Sequence, residues 1–350
     1  MAITDADAYF IRADYFLGHW IECADLDGDG YDDLVANNME INFSTYVREH
    51  TVYLFYGAST PWSGAMSEAD ADATIAYPIG YTGESYSSPL MWARDLDDDG
   101  AHELVFVVED DFSASGFDEL QILPSGTYAG SLEMVDLGQS TVYDDEDDGA
   151  GNGDSLGTIH VIDDFDGDGS PDIYLGHSNW SSDWTTFLAD TTSYPSPLEG
   201  RAGFYSDLSD GSTISALLYA DMVGSDRHAF GNDAVFADLD GDATTDALIS
   251  GYIESTIWDD AGAVYFFSDI DTALTGTDLD PESLYDAKVL CGNADCALGF
   301  TLGNPGDVDG DGDLDAVVAN FDEGNRVWIN AEVDFGDAPA PFPTLLTENG

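Results

Sequence analysis

The chain has few basic side chains: 7 Lys and Arg stand against 71 Asp and Glu, a formal net charge of -64 over 350 residues. With so little to neutralise phosphates, it repels nucleic acid and anionic membrane surfaces, and neither is an expected partner. No run approaches the roughly 18 consecutive apolar residues of a membrane-spanning helix. The start, Met1-Ala2-Ile3-Thr4-Asp5, lacks the basic residues and apolar run of a signal peptide. Helical periodicity is nearly absent. Cysteine is scarce as well. Cys23, alone in an apolar run, is expected to be a buried apolar residue, and Cys291 and Cys296 close a small disulfide loop if the protein is exported. What the chain does have is 43% apolar and 12% aromatic residues, enough for a sizeable core and too many for acidic disorder. Cations are its natural partners.

The charge is concentrated in a repeat. Asp25-Leu-Asp-Gly-Asp-Gly-Tyr-Asp-Asp33 returns, slightly altered, in loops that start at Asp95, Asp164, Asp238 and Asp307, at intervals of 70, 69, 74 and 69 residues. An apolar-Gly pair stands before most loops, as Leu17-Gly18, Leu156-Gly157, Phe230-Gly231 and Leu298-Gly299, with Ser87-Ser88 in the second unit instead. After each loop comes a short apolar run, then a β-branched and aromatic one such as Val52-Tyr53-Leu54-Phe55-Tyr56, and a weaker fourth segment such as Asp72 to Tyr77. Runs of this length bounded by Gly, Asp, Ser and Asn are strands. Each unit is therefore expected to be a four-stranded antiparallel sheet, and repeats of this size predict an all-β fold, a β-propeller with short, protected edges. Five blades are visible. The fifth stops after its third strand, and Asp5-Ala-Asp-Ala-Tyr-Phe-Ile11 resembles the fourth-strand segment Asp70-Ala-Asp-Ala-Thr-Ile75, so the N-terminal strand is expected to complete it. The alternative is a fragment of a seven-bladed ring. The expected domains are a propeller over 1–331 and a Pro-rich linker over 332–350, leading to further modules.

Within the loops, carboxylates fall at positions 1, 3, 5 and 9: Asp25, Asp27, Asp29 and Asp33; Asp95, Asp97, Asp99 and Glu103; Asp164, Asp166, Asp168 and Asp172; Asp238, Asp240, Asp242 and Asp246; Asp307, Asp309, Asp311 and Asp315. Carboxylates this crowded repel one another unless a hard cation lies between them, and Ca²⁺ takes six to eight oxygens in flexible geometry. Position 7 would add a backbone carbonyl, from Tyr31, Ala101, Ser170, Thr244 and Asp313. An EF-hand is excluded, because position 12 is Ala36, Phe106, Leu175, Ile249 or Val318 where that loop needs a bidentate Glu. Up to five structural Ca²⁺ are expected. They would add ten positive charges and bring -64 only to -54, so most of the charge is surface.

The apolar-Gly pair, the D-x-D-x-D-G-x-x-[DE] loop and the later V-Y-x-F strand resemble the FG-GAP repeats of integrin α-subunit propellers and the related VCBS repeats of bacterial surface and secreted proteins. The resemblance covers residues 5–330. It implies a propeller with calcium in the loop between the first and second strands of a blade, an extracellular or cell-surface location, and a role in adhesion or ligand recognition. Two loops depart from the pattern. Ala243 replaces Gly at position 6, where a left-handed backbone costs about 1 kcal/mol, so the fourth site is expected to be the weakest. Asp98 replaces Gly at position 4.

Signals for catalysis are weak. Gly153-Asp-Ser-Leu-Gly157 matches both a nucleophile elbow and the GDSL signature of esterases, but an elbow needs an apolar strand before its serine and a helix after it. Here Asp144-Asp-Glu-Asp-Asp148 comes shortly before, and Leu156-Gly157 is the repeat's own pair. The six histidines lack the spacing of a zinc site. No enzymatic activity is expected. An extracellular protein or glycan ligand would meet the blade ends opposite the calcium loops, where Trp180, Trp184, Tyr194 and Trp258 stand among polar residues. The competing expectations are part of a secreted polysaccharide-active enzyme or phosphatase, and a structural spacer.

Overall fold

A computed structural model describes residues 8–10, 16–42, 47–77, 91–108, 119–134, 137–143, 156–162, 164–178, 199–206, 208, 212, 217–225, 228–253, 261–274, 276–292, 296–306, 314–320 and 326–328. The protein is all-β and divides into two compact units, residues 1–152 with 208–216, and residues 153–207 with 217–350.

The first unit contains β1 (Ala8–Phe10), β2 (Phe16–Ala24), β3 (Asp33–Asn42), β4 (Val47–Phe55), β5 (Gly64–Met66), β6 (Ala73–Tyr77), β7 (Met91–Arg94), β8 (Glu103–Val108), β9 (Glu119–Leu123), β10 (Gly130–Glu133) and β11 (Ser140–Tyr143). The acidic loops join β2 to β3 and β7 to β8, so both loops are tight turns between antiparallel neighbours. One sheet has the order β11-β9-β8-β7, the antiparallel meander expected of a repeat. The other differs from that expectation. Its order is β10-β6-β4-β3-β2, because β10, from the following repeat, adds a fifth strand in parallel with β6. In the same way β5 pairs in parallel with β1. The core between the sheets is mostly aliphatic. Val35, Val52, Leu54 and Ile75 of one sheet meet Met91, Leu104, Phe106 and Leu123 of the other. Each such side chain contributes about 1.5–3 kcal/mol by leaving water.

The second unit contains β12 (Leu156–Ile162), β13 (Asp172–His177), β14 (Arg201–Tyr205), β15 (Leu218–Val223), β16 (Phe230–Ala237), β17 (Asp246–Gly251), β18 (Ala263–Phe267), the single helical turn α1 (Ile270–Ala273), β19 (Ala287–Leu290), β20 (Leu302–Gly306), β21 (Asp315–Val318) and β22 (Arg326–Trp328). Its sheets run β12-β13-β14-β15, β16-β17-β18-β19 and β20-β21-β22, all antiparallel. Phe236 sits on Tyr174 and Phe204 of the preceding sheet, with ring centroids 5.0 and 6.3 Å away.

The apolar-Gly pair has a mechanical cause. In β2, β12 and β16 the ladder shifts register at or just after the pair. At Gly231 the backbone adopts φ 82, and a Cβ there would lie 2.1 Å from the carbonyl oxygen of Arg201. A bulge and a close inter-sheet approach coincide, and only glycine meets both demands.

Cys23 is exposed, contrary to the apolar-run reading. Alternation along β2 explains it: Cys23 and Ile21, which is 57% exposed, share one face, while Ala24 is buried. Partial loss of hydration around the thiol, followed by Asp32 and Glu22 nearby, still pushes its pKa up. Cys291 and Cys296 are disulfide-bonded, with Cα atoms 6.3 Å apart.

Candidate metal centres

The first four acidic loops fold alike, and they do so through their own carboxylates. Position 1 accepts from the loop's backbone: Asp25 takes N–H from Asp29 and Gly30 at 3.1 and 2.8 Å, and Asp95 takes them from Asp99 and Gly100 at 3.2 and 3.0 Å. Asp164 and Asp238 accept equivalent bonds from Gly169 and Ala243. Position 5 accepts from the N–H of position 7, where Tyr31, Ala101, Ser170 and Thr244 donate to Asp29, Asp99, Asp168 and Asp242. Two left-handed residues complete each turn. Position 4 holds Gly28, Asp98, Gly167 and Gly241 at φ 72, 56, 80 and 76, and position 6 holds Gly30, Gly100, Gly169 and Ala243 at φ 87, 92, 99 and 71.

This folding brings acidic oxygens together. Three carboxylates in each loop offer atoms within 4.8 Å of one another: Asp25, Asp27 and Asp29; Asp95, Asp97 and Asp99; Asp164, Asp166 and Asp172; Asp238, Asp240 and Asp246. Each cluster could hold a metal ion. The donor set is all oxygen, which suits a hard cation. One Oδ of Asp240 is buried without a hydrogen-bond partner among the described residues, an arrangement that a cation would relieve. Burial, with Asp242 beside it, raises the Asp240 pKa.

Position 9 differs from the other three acidic positions. Asp33, Glu103, Asp172, Asp246 and Asp315 are all buried. Asp33 accepts from Leu26 N–H at 2.9 Å and Gly57 N–H at 2.7 Å, tying the start of the loop to the end of β4. Glu103 does the same with Leu96 and Ser125, and Asp246 with Leu239 and Asp269. Asp172 is held by Phe165 N–H and the Tyr219 hydroxyl. Burial raises the pKa of Asp33 and Asp172, and that of Asp246 to about 6, against the pull of those backbone bonds. Position 9 joins the carboxylate cluster in the third and fourth loops and braces the fold in all four, a second role that sequence spacing does not reveal.

Contacts from beyond the motif also reach the loops. His102, at position 8 of the second loop, donates its N–H to the carbonyl of Asp25 at 2.8 Å, and Thr127 Oγ1 donates to Asp27 Oδ2 at 3.3 Å. Ser206 Oγ donates to Asp166 Oδ2 at 2.7 Å. Position 8 varies among repeats, so no sequence signal marked His102.

Other residues named from the sequence lie outside the described ones: the expected ligands Asp307, Asp309, Asp311 and Asp313 and aromatics Trp180, Trp184, Tyr194 and Trp258, together with the run at 144–148, Ser155 and residues 332–350. After Ser155 the chain enters strand β12, where a nucleophile elbow would start a helix. The fold and the clusters define an all-β protein with several carboxylate sites able to hold a metal ion. No family model matches the chain, and no curated protein matches it.

Proposed function

We propose that this protein is a calcium-stabilised β-propeller that serves outside the cell as an adhesion or ligand-recognition module. The observation that carries the reading is the recurrence of one loop geometry, with oxygens clustered within 4.8 Å in four loops of the same backbone conformation. Ca²⁺ fits a cage of crowded, flexible carboxylates better than Mg²⁺, which demands a tight octahedron and sheds water reluctantly. The ions would act structurally, because a cation that binds only the folded loop stabilises it. Four of the sheets contain the first-to-third strand meander of a blade with an acidic loop between its first and second strands, and β20-β21-β22 repeats the meander with residues 307–313 between β20 and β21. The disulfide between Cys291 and Cys296 suits an oxidising, extracytoplasmic compartment.

Calorimetric titration of chelated protein with Ca²⁺, paired with thermal melting, tests the metal reading. Several equivalents are expected to bind and to raise the melting temperature; no heat and an unchanged melt would sink it. Small-angle scattering tests the ring. One compact body of 350 residues has a radius of gyration of about 20 Å, and a value several ångströms larger would separate the two units. A glycan and extracellular-protein array then addresses the ligand.

A further inference from the structure

The first and second acidic loops touch. A Cβ at Gly28, position 4 of the first, would lie 3.6 Å from that of Ala101, position 7 of the second. The N–H of His102 donates to the Asp25 carbonyl at 2.8 Å, and one ring nitrogen of His102 lies 3.2 Å from the same oxygen.

The turn after β9 braces this pair of loops from outside the motif. Ser125 N–H donates to Glu103, position 9 of the second loop, at 3.2 Å, and Gly126 N–H donates to the Leu26 carbonyl of the first at 2.7 Å. Next in sequence, Thr127 Oγ1 donates to Asp27, and Tyr128 N–H donates to the Tyr56 hydroxyl, which itself donates to the Gly126 carbonyl at 3.2 Å. Consecutive residues of one turn thus hold both loops. Gly126 has φ 144, which a residue with a side chain rarely adopts.

A single peptide group lies between the two carboxylate clusters. Ala101 N–H donates at 2.8 Å to Asp99, a member of the second cluster, and the Ala101 carbonyl is the position 7 oxygen expected to join that cluster. Because a peptide is planar and trans, this carbonyl points away from the side on which the His102 N–H meets Asp25. The carboxylate of Asp25 belongs to the first cluster.

We propose that the first two loops bind cations cooperatively, with the Ala101–His102 peptide as the link, an inference that rests on the calcium reading above. A carbonyl drawn toward a cation polarises its own peptide, and the N–H becomes a stronger donor. The Asp25 carbonyl is then held more firmly, and with it the carboxylate that already gathers the N–H groups of Asp29 and Gly30. Ordering the second loop so removes part of the entropy cost of filling the first. Linkage makes the effect mutual. Repulsion between two bound cations acts in the opposite direction, so the sign of the coupling separates the two causes.

NMR of the full chain carrying isotope-labelled glycine reads each loop separately, because Gly30 and Gly100 donate to the position 1 carboxylates of their own loops, at 2.8 and 3.0 Å. Titrating chelated protein with Ca²⁺ gives a midpoint for each. Asp97→Asn, which weakens the second cluster, is expected to raise the Gly30 midpoint by at least about 5-fold, and Asp27→Asn to raise that of Gly100 by the same factor. His102→Pro deletes the linking donor and should keep the turn, since Pro171 stands at position 8 of the third loop, which folds alike. In that background each factor is expected to fall below about 2-fold, the scatter of independent sites. A Gly30 midpoint that Asp97→Asn leaves unmoved or lowers overturns the proposal, and so does a factor that His102→Pro leaves unchanged. Should His102→Pro fail to fold, the titrations of Asp97→Asn and Asp27→Asn decide alone. Independent responses at the two glycines overturn the coupling and spare the calcium reading, whereas no response at either glycine overturns both.

Discussion

At the scale of single residues, the loops separate two kinds of carboxylate. Asp27 contributes to a cluster and accepts only exposed bonds, whereas buried Asp33 satisfies two backbone donors. Asp33→Ala would leave buried donors unpaired, at about 1–3 kcal/mol each, and is expected to lower the melting temperature with or without Ca²⁺. Asp27→Asn should lower it only when Ca²⁺ is present. Melts of both variants in chelator and in calcium check the distinction; equal behaviour would merge the two roles. Ala243 is the second residue-scale case. It holds φ 71 where the other three loops have glycine, so Ala243→Gly should stabilise the protein by about 1 kcal/mol and tighten the fourth site. A chemical-denaturation midpoint that does not rise would contradict this.

At the scale of elements, the connection after β18 is held by charge as well as by backbone pairing. Glu282 accepts from Lys288 Nζ at 2.6 Å and from the Tyr265 hydroxyl at 2.8 Å, and the Lys288 ammonium lies 4.6 Å from the Tyr265 ring centroid. Burial alone would raise the Glu282 pKa, but the bonds from Lys288 and Tyr265 outweigh it and hold the carboxyl below its usual 4.5. A folded-state pKa below the unfolded one means that this stabilisation is present above pH 4.5 and fades as pH falls through the lowered value. Glu282→Gln is therefore expected to flatten the acid limb of a stability-against-pH curve and to leave its slope above pH 6 unchanged. Identical acid limbs would show that the group does not matter. The acidic loops couple as elements too, since His102 of one holds the Asp25 carbonyl of another.

At the scale of the whole molecule, a net charge of -64 opposes compaction. Salt screens charges beyond about 10 Å at 0.1 M, so in chelator the melting temperature should climb steeply between 0.05 and 1 M NaCl. With Ca²⁺ bound, the closest repulsions are already neutralised and the same salt series should give a shallower rise. Parallel slopes in the two conditions would mean that the loops hold no cation. Much of this scale is legible in the sequence: the period near 70 residues and the strand runs foretold sheets in chain order. Two features were not. The parallel clasps pair β6 with a strand about 57 residues away, and the exposure of Cys23 depends on which face of β2 a neighbour covers.

By itself, then, the sequence determined what is local and repeated: strands from β-branched runs, and the acidic turn from its Asp and Gly spacing. Loop conformation follows from a few consecutive residues, so five copies announce it five times. The tertiary structure alone decided that position 9 is buried and bonded at the end of the third strand, that His102 and Thr127 reach another loop, and that outer strands are clasped from the next repeat. Those contacts join residues 22 to 100 positions apart, and except for the hydroxyl of Thr127 on Asp27 most of them use backbone groups every residue carries, which leave no mark in a sequence until folding brings them together.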